Sequence, residues 1–215
     1  PVAGPRMGPP HPESPFSIVG RGGTWLKAAA VSGANGFWGR SSAAGLPHFR
    51  SCTLTAHYPF TDLDLADTTM PLAARLSAWN PFIPLDEKAS SMPCAIFQWT
   101  ITNPTHHAYE GTLFFNLTNL LGCPEVGRSV NDFRDQDGLR GLWLTTNRHA
   151  PDSPRSGTIA VTTDHRDVTF LRRWVRGAWC DSLRDFWSQA SGGGLDESVK
   201  AEESPDDRPD IATIG

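Results

Sequence analysis

The sequence predicts an all-β protein: a large antiparallel β-sandwich, of the supersandwich kind, with one short helix. Three observations favour this fold class. Apolar and polar residues alternate in short segments along most of the chain, which is typical of half-buried strands. The 215 residues include 20 Gly and 18 Pro, a composition that favours many turns over long helices. Helical spacing of apolar residues is clear in one segment, 179–189, which precedes a run of glycines.

The predicted strands share a period of two residues. In chain order they cover 16–19, 24–31, 49–58, 62–65, 72–79, 94–101, 109–119, 139–146, 158–163 and 168–175. Strand 94–101 is apolar on both faces for most of its length, so we expect it in the centre of a packed sheet. The side chains expected in the core are Leu54, Ile96, Phe97, Leu113, Phe115, Leu142 and Leu144. Phe114 interrupts a polar face, and we interpret it as a contact to a neighbouring domain.

A proline-rich stretch from Trp79 to Pro93 connects two of these strands. Each proline fixes its own φ and disfavours helical geometry in the residue before it. We therefore expect a stiff connection through which no helix runs. Trp79 and Phe82 are large and flank prolines, so they would leave an apolar patch on an isolated domain. We predict that a partner domain covers this patch.

Asp62 and Asp64 share one face of a predicted strand and resemble a pair of catalytic carboxylates. Two carboxylates at this spacing are more often the solvent side of an edge strand, where charge discourages aggregation. We expect both to ionise freely at the surface and predict no catalytic residue in the chain.

Metal ligands are not predicted. The cysteines Cys52, Cys94, Cys123 and Cys180 lack zinc spacing, and we interpret them as buried thiols. His106 and His107 fall in a turn without a third ligand at suitable spacing. Segment 131–138 resembles a calcium loop but lacks the first acidic ligand and the closing Glu, which predicts a polar loop. We expect neither a metal nor another cofactor.

Arg172, Trp174 and Arg176 alternate on one face of a predicted strand. They could form a patch that faces a carboxylate or a sugar. The interpretation we prefer is structural, with arginine stacking on the tryptophan.

The charge distribution limits the kinds of partner. The net charge of −4 is spread without a basic block, which argues against nucleic acid or an anionic membrane surface. No apolar run approaches the roughly 20 residues of a membrane helix, and no signal peptide is visible. We expect a cytoplasmic protein of a bacterium.

Both ends of the sequence differ in composition from the middle. Residues 1–15 are rich in Pro and Gly and predict a disordered leader before a sandwich domain over 16–191. Residues 192–215 form an acidic loop or tail, which we expect to bury too little apolar area to order itself. The sandwich is therefore expected to be incomplete, as in a fragment.

A set of linked motifs resembles a known family. They are Tyr58-Pro59-Phe60, Trp79-Asn80-Pro81-Phe82-Ile83-Pro84, Asp86, Ser90-Ser91-Met92-Pro93, Phe97, Asn103-Pro104 and Asn119-Leu120-Leu121-Gly122. In this order they resemble the N-terminal β-sandwich domain of glycoside hydrolase family 116, which includes β-glucosidases related to non-lysosomal glucosylceramidase. The resemblance covers about 16–214.

The resemblance implies a role in a larger enzyme. Family 116 enzymes are retaining β-glycosidases whose two carboxylates lie on a C-terminal (α/α)6 barrel, and this chain has no such helical pattern. We therefore expect a non-catalytic domain that packs against that barrel, shapes the active-site rim through Trp79, Asn80 and Phe82, and meets the β-glucoside substrate through the barrel. Two alternatives stay open: a stand-alone carbohydrate-binding module and a structural interaction domain.

Overall fold

The computed structural model describes residues 16–20, 27–29, 49–177 and 181–215, the first two ranges as backbone. The described residues form twelve strands and two helices. The strands are β1 Phe16–Gly20, β2 Lys27–Ala29, β3 Ser51–His57, β4 Phe60–Ala66, β5 Ala73–Trp79, β6 Ile96–Thr102, β7 Gly111–Thr118, β8 Ser129–Gln136, β9 Leu139–Thr146, β10 Thr158–Thr163, β11 Phe170–Leu171 and β12 Ile211–Ile214. The helices are α1 Glu87–Ser90 and α2 Asp181–Ser191.

The strands form three antiparallel sheets, which confirms the predicted all-β fold class. The five-stranded sheet has the order β11-β12-β7-β1-β2, the four-stranded sheet β3-β4-β5-β6 and the three-stranded sheet β10-β9-β8. A second helix, α1, joins the single predicted one. The predicted leader 1–15 and the start of the predicted helix, Trp179, lie outside the described residues.

The five-stranded sheet is a central layer with both faces covered. On one face Leu113 and Phe115 of β7 pack against the four-stranded sheet, while Ala212 and Ile214 of β12 pack against the three-stranded sheet. On the other face lies α2. Apolar burial on both faces of one sheet is the largest source of folding energy in such an arrangement.

The position of α2 corrects the interpretation of Phe114. This side chain is fully buried and meets Phe186 of α2 edge to face, with the ring centroids 5.9 Å apart. Trp174 stacks on the same Phe186 at 4.5 Å. Phe114 therefore faces a helix of its own chain and makes no surface for a neighbouring domain.

The predicted core is correct in its centre and wrong at its margins. Leu142 and Leu144 are buried, and Leu113 and Phe115 are partly buried against the core clusters. Leu54, Ile96 and Phe97 are exposed. All three lie on β3 or β6, the two edge strands of the four-stranded sheet. Strand β6 is therefore an edge strand despite its apolar faces, and an edge leaves part of each side chain in water.

Strand β8 replaces the polar loop predicted for 131–138. It pairs with β9 through a turn at Asp137 and Gly138, whose φ angles are 54° and 82°. Positive φ at both turn residues is the geometry of a type I′ hairpin, for which Asp-Gly is a preferred sequence. Its buried polar residues Ser129 and Asn131 find partners in Ser204 and Asn119. These hydrogen bonds offset the cost of burying the two polar side chains. An apolar pattern in the sequence could not reveal that they are buried.

The acidic C-terminal segment is ordered, so the opposite expectation was wrong. Strand β12 lies between β11 and β7. Its Thr213 accepts a hydrogen bond from Trp174 Nε1, beyond the end of β11, and donates one to Asn116 of β7, each at 2.7 Å. The acidic residues before it pair with arginines of the sandwich: Glu203 with Arg128 at 2.8 Å and Asp210 with Arg176 at 2.8 Å. Composition alone misses these specific partners.

The segment 172–176 has a structural role, as preferred, but with different contacts. Arg172 lies over the ring of Phe170 and pairs with Asp132, while Trp174 is buried against α2. The arginine therefore stacks on a phenylalanine. Residues 172–176 follow β11 outside the strand, so the predicted strand 168–175 shortens to Phe170–Leu171.

The connection after β5 does contain helical structure, which corrects the expectation of none. Asp86 caps α1 by accepting a hydrogen bond from the backbone N–H of Ala89 at 2.9 Å. This single turn fits between Pro84 and Pro93, so neither ring clashes with a helical carbonyl.

Three findings concern the thiols, metal binding and membranes. Cys94 and Cys123 are exposed, so the expected burial of the thiols is wrong for these two, while Cys52 is partly buried against the core. Cys180 is outside the described residues. Within the described ranges, no group of three or more His, Cys, Asp or Glu side chains could hold a metal ion. Neither helix seen there has the length and apolar character needed to cross a membrane.

Candidate functional site

The outward face of the four-stranded sheet carries two contrasting rows of side chains. Pairing between the strands aligns His57, Phe60, Trp79 and Ile96 across the sheet, at the end where β3 turns into β4. The next row along the strands aligns Thr55, Asp62, Ser77 and Gln98. An aromatic row therefore lies beside a polar row on one surface.

The aromatic row is held together by ring contacts. His57 lies 5.8 Å from Phe60, and Phe60 lies 6.2 Å from Trp79, measured between ring centroids. Phe60 is exposed and Trp79 is half-buried. Aromatic rings at these separations make stabilising contacts, while part of each ring stays accessible to water.

The polar row centres on Asp62. Ser77 Oγ donates a hydrogen bond of 2.6 Å to Asp62 Oδ1, and Arg75 Nη2 lies 3.1 Å from Asp62 Oδ2. The Asp62 side chain is 15% exposed. The hydrogen bond from Ser77, with the charge of Arg75, lowers the pKa of Asp62 below its ordinary value. Asp62 is therefore an ionised acceptor, the opposite of a carboxyl group kept protonated for general acid catalysis.

These two rows enclose a shallow pocket of about 370 Å³. Its lining is shared equally between ring-bearing and polar side chains: His57, Phe60, Asp62, Ser77, Trp79 and Gln98. The pocket lies over the inner strands β4 and β5, whose backbones are paired on both sides. Four of its six lining side chains are thus positioned by the most constrained part of the sheet, and His57 and Gln98 come from the edge strands.

Beside the pocket, the connection 80–95 forms an apolar surface. Phe82 is 42% exposed and meets Tyr58 edge to face at 5.2 Å. Ile83, Leu85 and Met92 are exposed as well, and Leu85 has a φ of 67°. We call the exposed side chains of Tyr58, Phe82, Ile83, Leu85 and Met92 the apolar patch.

The loop that carries this patch is held in shape. Ser90 Oγ accepts a hydrogen bond from the N–H of Ile83 and donates one to its carbonyl, both at 3.0 Å. A leucine at positive φ is strained and costs on the order of 1–3 kcal/mol. A fixed loop that presents a strained and fully exposed leucine is typical of a surface built for contact.

The structure places the predicted site residues at this end of the sheet. Trp79 lines the pocket, Asn80 is half-buried after it, and Phe82 stands in the apolar patch. Asp62 and Asp64 share a face as predicted, but β4 is an inner strand, so their assignment to an edge was wrong. Both lie close to Arg75, at 3.1 and 3.6 Å, so each has a charged partner rather than free solvent around it.

Sequence reasoning missed four pocket residues: His57, Phe60, Ser77 and Gln98. They come from four strands, β3 to β6, and they converge only because of the register between those strands. The alternation of these residues with core residues indicated that they lie on the outward face of the sheet. It did not indicate which side chains of the neighbouring strands lie beside them. The signal available in the sequence was Tyr58-Pro59, a turn that joins β3 to β4 and sets that register.

We predict that Ser77→Ala raises the pKa of Asp62 towards its ordinary value of 3.8. The lowered pKa means that the contribution of Asp62 to stability is present above the unfolded pKa and is lost as pH falls through the folded pKa. Carboxyl ¹³C chemical shifts across an acid titration measure the change. Thr55→Ala, in the same row on the edge strand, serves as the control and should leave the titration of Asp62 unchanged.

Comparison with known families gives a match over nearly the full length of the chain. Residues 19–214 match the family described as "beta-glucosidase 2, glycosyl-hydrolase family 116 N-term".

Proposed function

The chain belongs to the N-terminal domain family of family 116 glycosyl hydrolases, and on this premise we propose that it packs against the catalytic domain of a retaining β-glucosidase. In this role Trp79, Asn80 and Phe82 contribute to the rim of the active site. The catalytic carboxylates then belong to the other domain. The observation that carries the proposal is the apolar patch on the connection 80–95.

The size and exposure of the patch support a partner. Its five large apolar side chains are all exposed, and four of them fall within 82–92. Apolar surface concentrated in this way is unusual on a monomer and typical of an interface. Burial of one such side chain contributes roughly 1.5–3 kcal/mol.

The shape of the loop supports the same role. Because the Ser90 and Asp86 hydrogen bonds hold it in one conformation, docking costs little conformational entropy. Trp79 and Asn80 lie at the border between the patch and the pocket. A domain that covers the patch would therefore end beside these residues, which is the position expected of a rim.

The chemistry of the chain supports a non-catalytic role. Retaining hydrolysis requires a second carboxyl group whose pKa is raised so that it can donate a proton. Asp62 and Asp64 share Arg75, and the pKa of Asp62 is lowered. We expect the chain alone to leave aryl β-glucosides unhydrolysed.

Leu85→Asn tests the docking role. Asparagine tolerates positive φ, so the loop should keep its shape while the apolar contact is lost. We expect affinity for the separately expressed catalytic domain to fall by tenfold or more, since a buried leucine is worth roughly 1.5–3 kcal/mol. Isothermal titration calorimetry measures the affinity.

Leu139→Asn is the matched control. Leu139 is also an exposed leucine, but it lies at the turn between β8 and β9 in the three-stranded sheet. Its replacement should leave the affinity unchanged. Equal affinities for the two variants would show that the apolar patch is not the docking surface.

A further inference from the structure

Beyond docking, we propose that the pocket on the four-stranded sheet binds one neutral pyranose unit of a saccharide. The ring lies on Trp79 and Phe60, and its hydroxyl groups bond to Asp62, Ser77 and Gln98. This site lies within the chain itself and does not require the catalytic domain.

The aromatic row supplies the apolar half of the site. Trp79 and Phe60 are adjacent on neighbouring strands, and both line the pocket with part of their surface accessible. A pyranose has one face of C–H groups, which packs on an aromatic ring and removes apolar area from water. An entirely polar ligand would leave these rings exposed.

Hydrogen-bonding groups of the next row supply the polar half. A carboxylate offers about four acceptor sites, and Asp62 uses one for Ser77 and one for Arg75. The Ser77 hydroxyl has its proton directed at Asp62, so its oxygen is left to accept a second bond. Gln98 is exposed and makes no side-chain hydrogen bond to the other described residues, so its amide can both donate and accept.

The spacing of the two rows suits a ligand that has an apolar face and a polar edge. Side chains two residues apart on a strand lie about 7 Å apart on one face. A ring seated on the aromatic row therefore places its edge over the polar row. Sugar hydroxyls lie on that edge, so the pocket matches an amphipathic ring better than it matches a flat aromatic or a linear chain.

The charge of the pocket selects a neutral ligand. Asp62 is the one carboxylate of the lining. Its partner Arg75 also contacts Asp64, and neither Arg75 nor Asp64 lines the pocket. A ligand carboxylate or phosphate would meet the charge of Asp62 in a lining that contains His57 but neither lysine nor arginine. A saccharide without acidic groups avoids this repulsion.

The test is a titration of the ¹⁵N-labelled chain with methyl β-glucoside, followed by NMR. We expect shift changes centred on residues 57–62, 77–79 and 98, with a dissociation constant on the order of 1 mM. Gln98→Ala should weaken binding about fivefold by removing hydrogen bonds. Asp62→Asn, which keeps the shape and removes the charge, should weaken it as well.

Thr100→Ala is the control, because Thr100 is exposed on the same strand and face as Gln98, one row further along. It should bind methyl β-glucoside like the unaltered chain. Glucuronate should bind several-fold more weakly than the neutral sugar. A folded chain without shift changes in the pocket, or equal weakening by Gln98→Ala and Thr100→Ala, would overturn the proposal.

The two proposals fail separately. Leu85→Asn lies outside the pocket and should leave binding of methyl β-glucoside intact while it weakens docking. Gln98→Ala should do the reverse. Loss of sugar binding in a variant that docks normally therefore bears on the pocket alone.

Discussion

Replacement of Phe186 by alanine is expected to lower the free energy of unfolding by about 3–5 kcal/mol. Phe186 is 2% exposed and stands at the centre of the cluster between α2 and the central sheet. It stacks on Trp174 at 4.5 Å and meets Phe114 edge to face at 5.9 Å. Its removal would leave a cavity between two aromatic partners that cannot collapse without moving the helix.

Urea denaturation followed by tryptophan fluorescence measures this loss. Phe82→Ala is the matched control, because Phe82 is exposed on the apolar patch, and its replacement should cost less than about 1 kcal/mol. Phe186→Leu fills most of the cavity and should cost about 1–2 kcal/mol, which keeps the test usable if the alanine variant does not fold. A loss below about 1 kcal/mol for Phe186→Ala would mean that α2 contributes little to the fold.

The parts of the fold that followed from sequence are those whose burial is apolar and periodic. Strands β9 and β10 occur at the predicted residues, and Leu142 and Leu144 lie in the core as expected. In these strands every second side chain is wholly or partly buried against apolar neighbours, so the two-residue period is enough to identify the strands.

Strands β8 and β12 could not be recognised in this way. Their buried positions include Ser129, Asn131 and Thr213, which are stable in the interior because each finds a hydrogen-bond partner from a distant part of the chain: Ser204, the carbonyl of Arg172 and Asn116. No local pattern encodes a partner 75 or 97 residues away. Phe114 was misassigned for the same reason, because the helix that covers it comes much later in the sequence.

The same distinction between local and long-range determinants applies to the candidate site. Trp79 and Phe82 could be selected from sequence because large side chains beside prolines are constrained locally. The pocket could not, since its lining depends on the register of β3 to β6. A shift of one residue in that register would move Asp62 and Gln98 to the opposite face.

The second large effect is expected at Arg176. This arginine donates from Nε to Asp210 Oδ1 at 3.0 Å and from Nη2 to Asp210 Oδ2 at 2.8 Å. The Asp210 side chain is 5% exposed, so this ion pair is largely shielded from water. The hydrogen bond to Asp210 also raises the pKa of Arg176 above its ordinary value. Both residues hold the entry to β12.

Arg176→Ala should therefore lower the free energy of unfolding by about 3–5 kcal/mol, because it leaves the carboxylate of Asp210 buried and uncompensated. Arg155→Ala provides the comparison: its pair with Glu125 spans 3.2 Å, but both side chains are half exposed, so the loss should stay below about 1 kcal/mol. Denaturant unfolding gives both values. Hydrogen exchange should also show faster exchange at Ala212 and Ile214, because β12 loses its anchor. Equal losses for the two variants would mean that the pair at Asp210 is no more than a surface contact.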